Sequence, residues 1–218
     1  MADAVFAHVR KSKSFQRDYF GALRTNDARD SVTLVSEDPG NSLTVNIQDV
    51  IFTKDSYETG RPVNLEKAAK EFAELWGVVD SILHVKAIRR IGIVGETRIE
   101  DVDSPSLLLL QSLTTLQNPN HSAKFRLHYE ERLPTLEGLA PDIESDDFKN
   151  IIYSFYDSSL DSVHAEDNAV SFTLDFQRYY TPPISRDILK QVEKLSPEFE
   201  SKWNSFSDHL TKLGISDS

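Results

Sequence analysis

The chain has 218 residues, of which 39% are hydrophobic and 27% charged, so it can bury a packed core without staples. It has no cysteine, which excludes disulfides, thiolate zinc sites and cysteine nucleophiles and favours a reducing compartment. The net charge of −11 argues against general nucleic-acid binding, because a duplex binder must neutralise phosphates.

The first ten residues interrupt their apolar positions with Asp3, His8 and Arg10, unlike a signal peptide. No apolar run approaches the roughly 20 residues of a membrane span. The expectation is a cytoplasmic protein with no membrane contact. Residues 1–30 read as an N-terminal segment in which Arg10, Lys11, Lys13, Arg17, Arg24 and Arg29 outnumber Asp3, Asp18, Asp27 and Asp30. Within it, Phe15, Tyr19 and Leu23 suggest a weak amphipathic helix over 12–24.

Residues 31–218 are expected to form a single α+β domain. Strands are predicted at 31–37 and 42–53, separated by the turn signal Asp38-Pro39-Gly40-Asn41. Leu43, Val45 and Ile47 alternate, then the phase slips near Asp49 to Val50 and Phe52, which predicts a bulge or bend. Asn64 can cap a helix over 64–84, whose stripe runs through Leu65, Phe72, Trp76, Val79 and Leu83. Gly77 inside it suggests a close backbone approach. Period two returns over 88–99. Ser104-Pro105 then reads as a cap and first turn of a helix over 105–117.

The cleanest strand signal follows. Over 123–133, Phe125, Leu127, Tyr129 and Leu133 point one way and Lys124, Arg126, His128, Glu130 and Arg132 the other. An acidic loop over 134–147 leads to strands at 148–156 and 169–180. The last helix, over 185–213, takes Ser185 as its cap and Gly214 as its stop, and Pro197 should kink it. Its stripe runs through Val192, Leu195, Phe199, Trp203, Phe206 and Leu210, and is expected to pack on the sheet, with a two-helix seam as the alternative. Trp203 lies mid-stripe, where full burial would make it worth about 3–5 kcal/mol. The expected fold is therefore a mainly antiparallel sheet covered by helices, with a long kinked C-terminal helix.

No constellation carries chemistry. The six histidines (8, 84, 121, 128, 164 and 209) lack metal-ligand spacing. Asp157, Ser159 and Asp161 open like a calcium loop, but Ser162 replaces the required glycine and Asn168 the final glutamate. Gly92 and Gly95 lie inside a strand and do not precede a helix, so they form no phosphate loop. No catalytic, cofactor-binding or metal residue is assigned. The wet face of Lys124, Arg126, His128, Glu130 and Arg132 is the candidate interface. Exposed pairs add little stability, whereas mixed charge sets register and orientation between partners.

Three segments together resemble a sporadically distributed bacterial family of uncharacterised α+β proteins. They are Ser36 to Val45 running on to Lys54-Asp-Ser-Tyr57; Arg90-Ile-Gly-Ile with Arg98-Ile99; and Phe172 to Phe176 leading into the helix of Phe199, Trp203 and Phe206. The family's strand carries an Arg-Ile-Gly-Leu-Arg-Tyr-Ile-Asn-Arg-Ile pattern, from which Val94, Gly95, Glu96 and Thr97 depart. The resemblance implies a bacterial, cytosolic origin and a setting in a defence or other mobile gene cassette; it implies no activity. The leading expectation is a non-catalytic protein-interaction or accessory protein that binds a protein partner or itself. The alternative is a small-ligand-binding domain with a cavity between the sheet and the C-terminal helix.

Overall fold

The computed structural model describes residues 7–9, 20–25, 31–36, 40–46, 48–55, 62–115, 124–134, 141–142, 144–160 and 168–215. The chain forms two compact units, residues 1–86 and 87–218. It has the α+β class expected of it, with two antiparallel four-stranded sheets and a long C-terminal helix.

The first unit is a meander, β1 (Ala22–Thr25), β2 (Ser31–Val35), β3 (Asn41–Asn46) and β4 (Val50–Lys54), followed by α1 (Leu65–Leu83). Register sets Leu23, Leu34, Leu43 and Phe52 in one row and Val32, Val45 and Val50 in the next. These rows pack with Leu75 and Val79 of α1 and with Val9 and Phe20. The boundary expected at residue 30 thus falls inside one sheet, since β1 pairs with β2 across it. Of the helix expected over 12–24, residues 20 and 21 are not helical and 22–24 are strand; residues 12–19 lie outside the described residues.

The phase slip near Asp49 is a hairpin turn rather than a bulge. The Asn46 side chain accepts from the amides of Gln48 at 2.7 Å and Asp49 at 2.6 Å, and the chain reverses there. Reversal returns Val50 and Phe52 to the buried face opposite Val45 and Leu43. At the preceding turn, Gly40 has φ +95°, and a Cβ there would stand 2.6 Å from Asp55.

Asn64 caps α1 as expected, accepting from the Lys67 amide at 2.7 Å. Gly77 does not serve a close approach: a Cβ there would meet nothing within 4 Å.

The second unit runs β5 (Ile88–Ile99), α2 (Pro105–Leu113), β6 (Arg126–Pro134), β7 (Phe148–Asp157), β8 (Val170–Ile184) and α3 (Ile188–Lys212), with sheet order β5-β8-β7-β6. Neither serine cap forms. Ser104 takes a left-handed conformation without a side-chain bond, and the last helix begins after Asp187 rather than at Ser185. β8 runs on to Ile184, past its expected end at 180, because Ile88 pairs with Ile184 beyond an irregularity in the ladder. Of the 134–147 loop, residues 135–140 and 143 lie outside the described residues; Asp142, Glu144 and Ser145 form a tight turn. The end of the 105–117 helix from residue 116, and 161–167 of the polar loop, are likewise not described.

Helix α3 is continuous through Pro197, and its buried side chains are Ile188, Val192, Leu195, Phe199, Phe206 and Leu210. The stripe packs on the sheet, over β5 and β8. Trp203 is only partly buried, short of the full burial expected mid-stripe. Gly214 ends the helix at φ +74°, where its amide donates to the Thr211 carbonyl and that of Ile215 to Leu210.

A buried polar latch ties α2 to β7. Ser106 donates to Asp157 at 2.6 Å while its hydroxyl accepts from the Phe125 amide at 2.8 Å. Burial pushes the Asp157 carboxyl up, but hydrogen bonds from Ser106 and Ser159 outweigh it, and the net direction is down from 3.8. A carboxyl lowered by folding stabilises the fold above its unfolded value, and that contribution disappears as the pH falls through the folded value. The melting temperature is therefore expected to drop as the pH falls below about 4. Ser106→Ala should lower it at neutral pH and flatten this acid limb, read by thermal denaturation across pH. An acid limb as steep in the variant as in the wild type would remove the latch from the account.

Candidate interaction surface

The face of the second sheet opposite α3 is built row by row from the ladder registers. Arg132, Asn150, Gln177 and Gly92 lie across one row; Glu130, Ile152, Asp175 and Val94 across the next; His128, Ser154, Thr173 and Glu96 across the third; and Arg126, Tyr156, Ser171 and Arg98 across the fourth. Strand alternation makes this face mostly polar, with Ile152 and Val94 as its aliphatic positions.

Four of the five residues expected as an interface come together here. Arg126, His128, Glu130 and Arg132 are exposed along β6, which with β5 is an edge strand of this sheet among the described residues. Lys124 is also exposed but precedes the strand. Arg132 donates to Glu130 from both Nε and Nη2, at 3.1 and 3.0 Å. That pairing, against a small desolvation effect, holds the Glu130 carboxyl below its ordinary value. His128 Nδ1 lies 3.2 Å from Ser154 Oγ, and the Arg126 guanidinium lies 5.3 Å from the centre of the Tyr156 ring.

Deeper on the same face lies a network that alternation alone did not single out. Asn150 and Gln177 are 5% and 7% exposed, polar groups on strands flanked on both sides. The Gln177 amide donates to Asp175 and accepts from the Tyr179 hydroxyl at 3.0 Å. Burial pushes the Asp175 carboxyl up against the hydrogen bond from Gln177 and the charge of Arg90. Gly92 makes room for Gln177, whose Cγ would lie 3.3 Å from a Cβ at that position. The Asp175-x-Gln177-x-Tyr179 spacing was visible in the strand pattern, but only the central place of β8 gives these side chains their depth.

The opposite face explains why β6 stands apart. Helix α3 lies over β5 and β8 and reaches β7 through Phe206; of the β6 side chains on this face, Leu127 and Leu133 are partly buried while Tyr129 is exposed. Tyr129, expected to be buried with Leu127 and Leu133, is 56% exposed. It is the outer ring of a chain running from Trp203 through Phe206 and Tyr153, with Tyr153 and Tyr129 centred 5.9 Å apart. Beside it, a groove of about 420 Å³ opens between the sheet and α3, lined by Leu133, Lys149, Phe176, Pro197, Glu198 and Lys202 among others. An ion pair between Lys149 and Glu198 crosses its wall.

Among the described residues, no group of three or more histidine, aspartate or glutamate side chains could hold a metal ion. None of the described helices is long and apolar enough to cross a membrane. No protein-family model matches the chain, and neither does any curated protein or solved structure.

Proposed function

We propose that this protein is a non-catalytic interaction protein, an accessory factor of the cytoplasm in the bacterial setting that the family resemblance implies, and that β6 is its contact strand. The observation that carries the reading is the double exposure of β6 at the sheet edge. Its charged row Arg126, His128, Glu130 and Arg132 faces solvent on one side, and Tyr129 is uncovered on the other. Tyrosine and arginine are the residue types enriched at protein interfaces, and β6 presents one on each of its faces. The charge row supplies orientation more than affinity.

The test is charge reversal. Arg126→Glu with Arg132→Glu is expected to abolish partner capture or self-association while circular dichroism and melting stay close to wild type, since both side chains are exposed. Unchanged sedimentation and unchanged capture with an intact fold would defeat the reading.

A second reading, a small-ligand-binding domain, rests on the groove between Phe176 and α3. The same variant separates the two, because neither arginine lines that groove.

A further inference from the structure

We infer that the occupant of the β6 edge is a second copy of this chain, paired antiparallel through β6 about a two-fold axis at His128. This inference rests on the reading of β6 as the contact strand and names its partner. Closed two-fold pairing requires a surface complementary to itself, and an edge strand offers unpaired backbone groups on which a second strand can build.

The charge pattern selects both the partner and the register. The chain as a whole carries −11, which opposes bringing two copies together at most of their surfaces. Over residues 124–132 the balance is different: Lys124, Arg126 and Arg132 against Glu130 and Glu131. Contact here brings opposite charges together locally, where most of the surface would set acid against acid.

The side chains that face each other depend on the position of the axis. With the axis at His128, Arg126 lies opposite the partner's Glu130 twice, and on the other face Leu127 lies opposite the partner's Tyr129 twice. Both are favourable cross-strand pairs. Moving the axis to Tyr129 sets Arg126 against the partner's Arg132. Moving it to Glu130 or Glu131 sets a glutamate against its own copy at the centre. The one like-charged pair in the His128 register, Lys124 with the partner's Arg132, falls at the end of the overlap, where Arg132 is already held by Glu130 of its own chain at 3.0 Å. The charges thus disfavour the registers centred on Tyr129, Glu130 and Glu131; an axis at Leu127 would take its opposite-charge pairs from Lys124, which precedes the strand, whereas an axis at His128 forms them within β6. Pairing joins two four-stranded sheets into one and sets Tyr129 against apolar surface.

The test uses the full chain and sedimentation velocity from about 1 to about 500 μM, a range suited to an interface at the small end of the size scale. Wild type is expected to pass from monomer to dimer across it. Arg126→Glu and Glu130→Arg, each alone, set like charges against each other twice and should weaken the dimer at least about tenfold. An equimolar mixture of the two variants restores both opposite-charge pairs and should regain the dimer as a heterodimer. Circular dichroism controls for folding of each variant. A wild type monomeric throughout overturns the inference, as does a dimer insensitive to either substitution or a mixture that fails to recover. A monomeric wild type whose partner capture still depends on Arg126 and Arg132 would overturn the second copy alone and leave the contact strand standing. Loss of both would end both.

Discussion

Replacing Phe206 with alanine is expected to cost about 3–5 kcal/mol, a large part of the roughly 5–15 kcal/mol that holds an ordinary domain together. Phe206 is 5% exposed, and its ring centre lies 5.5 Å from that of Phe155, 5.6 Å from Tyr153 and 6.0 Å from Trp203. Truncation removes a buried ring and leaves a cavity whose walls belong to strand and helix together, so neither can collapse alone to fill it. Trp203→Ala should cost less, because Trp203 is partly exposed. Urea denaturation of the three proteins checks the order. A Phe206→Ala midpoint close to wild type would mean that α3 is not seated on the sheet in solution.

Gly95→Ala is expected to destabilise by about 1–3 kcal/mol through overpacking. A Cβ at Gly95 would lie 2.7 Å and 2.8 Å from two carbons of the Trp203 ring and 2.8 Å from Phe199. These rings are stacked on each other at 5.9 Å, and Phe199 is buried, so the pair cannot simply swing away. The penalty comes from displaced packing, so it should be relieved when the obstacle is shortened. Gly95→Ala combined with Trp203→Leu should be more stable than the sum of the two single changes predicts, as expected for residues in direct contact. Additivity within a few tenths of a kcal/mol would place Trp203 away from β5.

Gly95 also shows what kind of information a sequence lacks. Gly77 and Gly95 look alike in the chain, each a small residue inside a regular element. Gly77 faces open space, whereas Gly95 is where the helix rings press against the strand. The difference lies in what arrives from more than a hundred residues away, and local pattern carries no trace of it.

Periodicity by itself determined most of the elements. Alternation in 88–99, 123–133 and 170–180 specifies strands with one apolar face, because a strand's side chains can face only two ways. The stripe from Val192 to Leu210 specifies a helix that must bury one side, and Gly214 specifies its stop. The mixed-charge row of β6 was likewise legible, since a charged residue at every second position has no place in a core. The tertiary structure alone decided the remainder. Hydrogen bonding to the Asn46 side chain turns an apparent slip into a hairpin. The division into two compact units follows from which strands pair, and β1 joins its sheet across the boundary expected at residue 30. Placement of α3 over β5 and β8 leaves Tyr129 uncovered, although its sequence pattern is that of a buried residue. Alternation tells a side chain which face it shares; only packing determines whether anything covers that face.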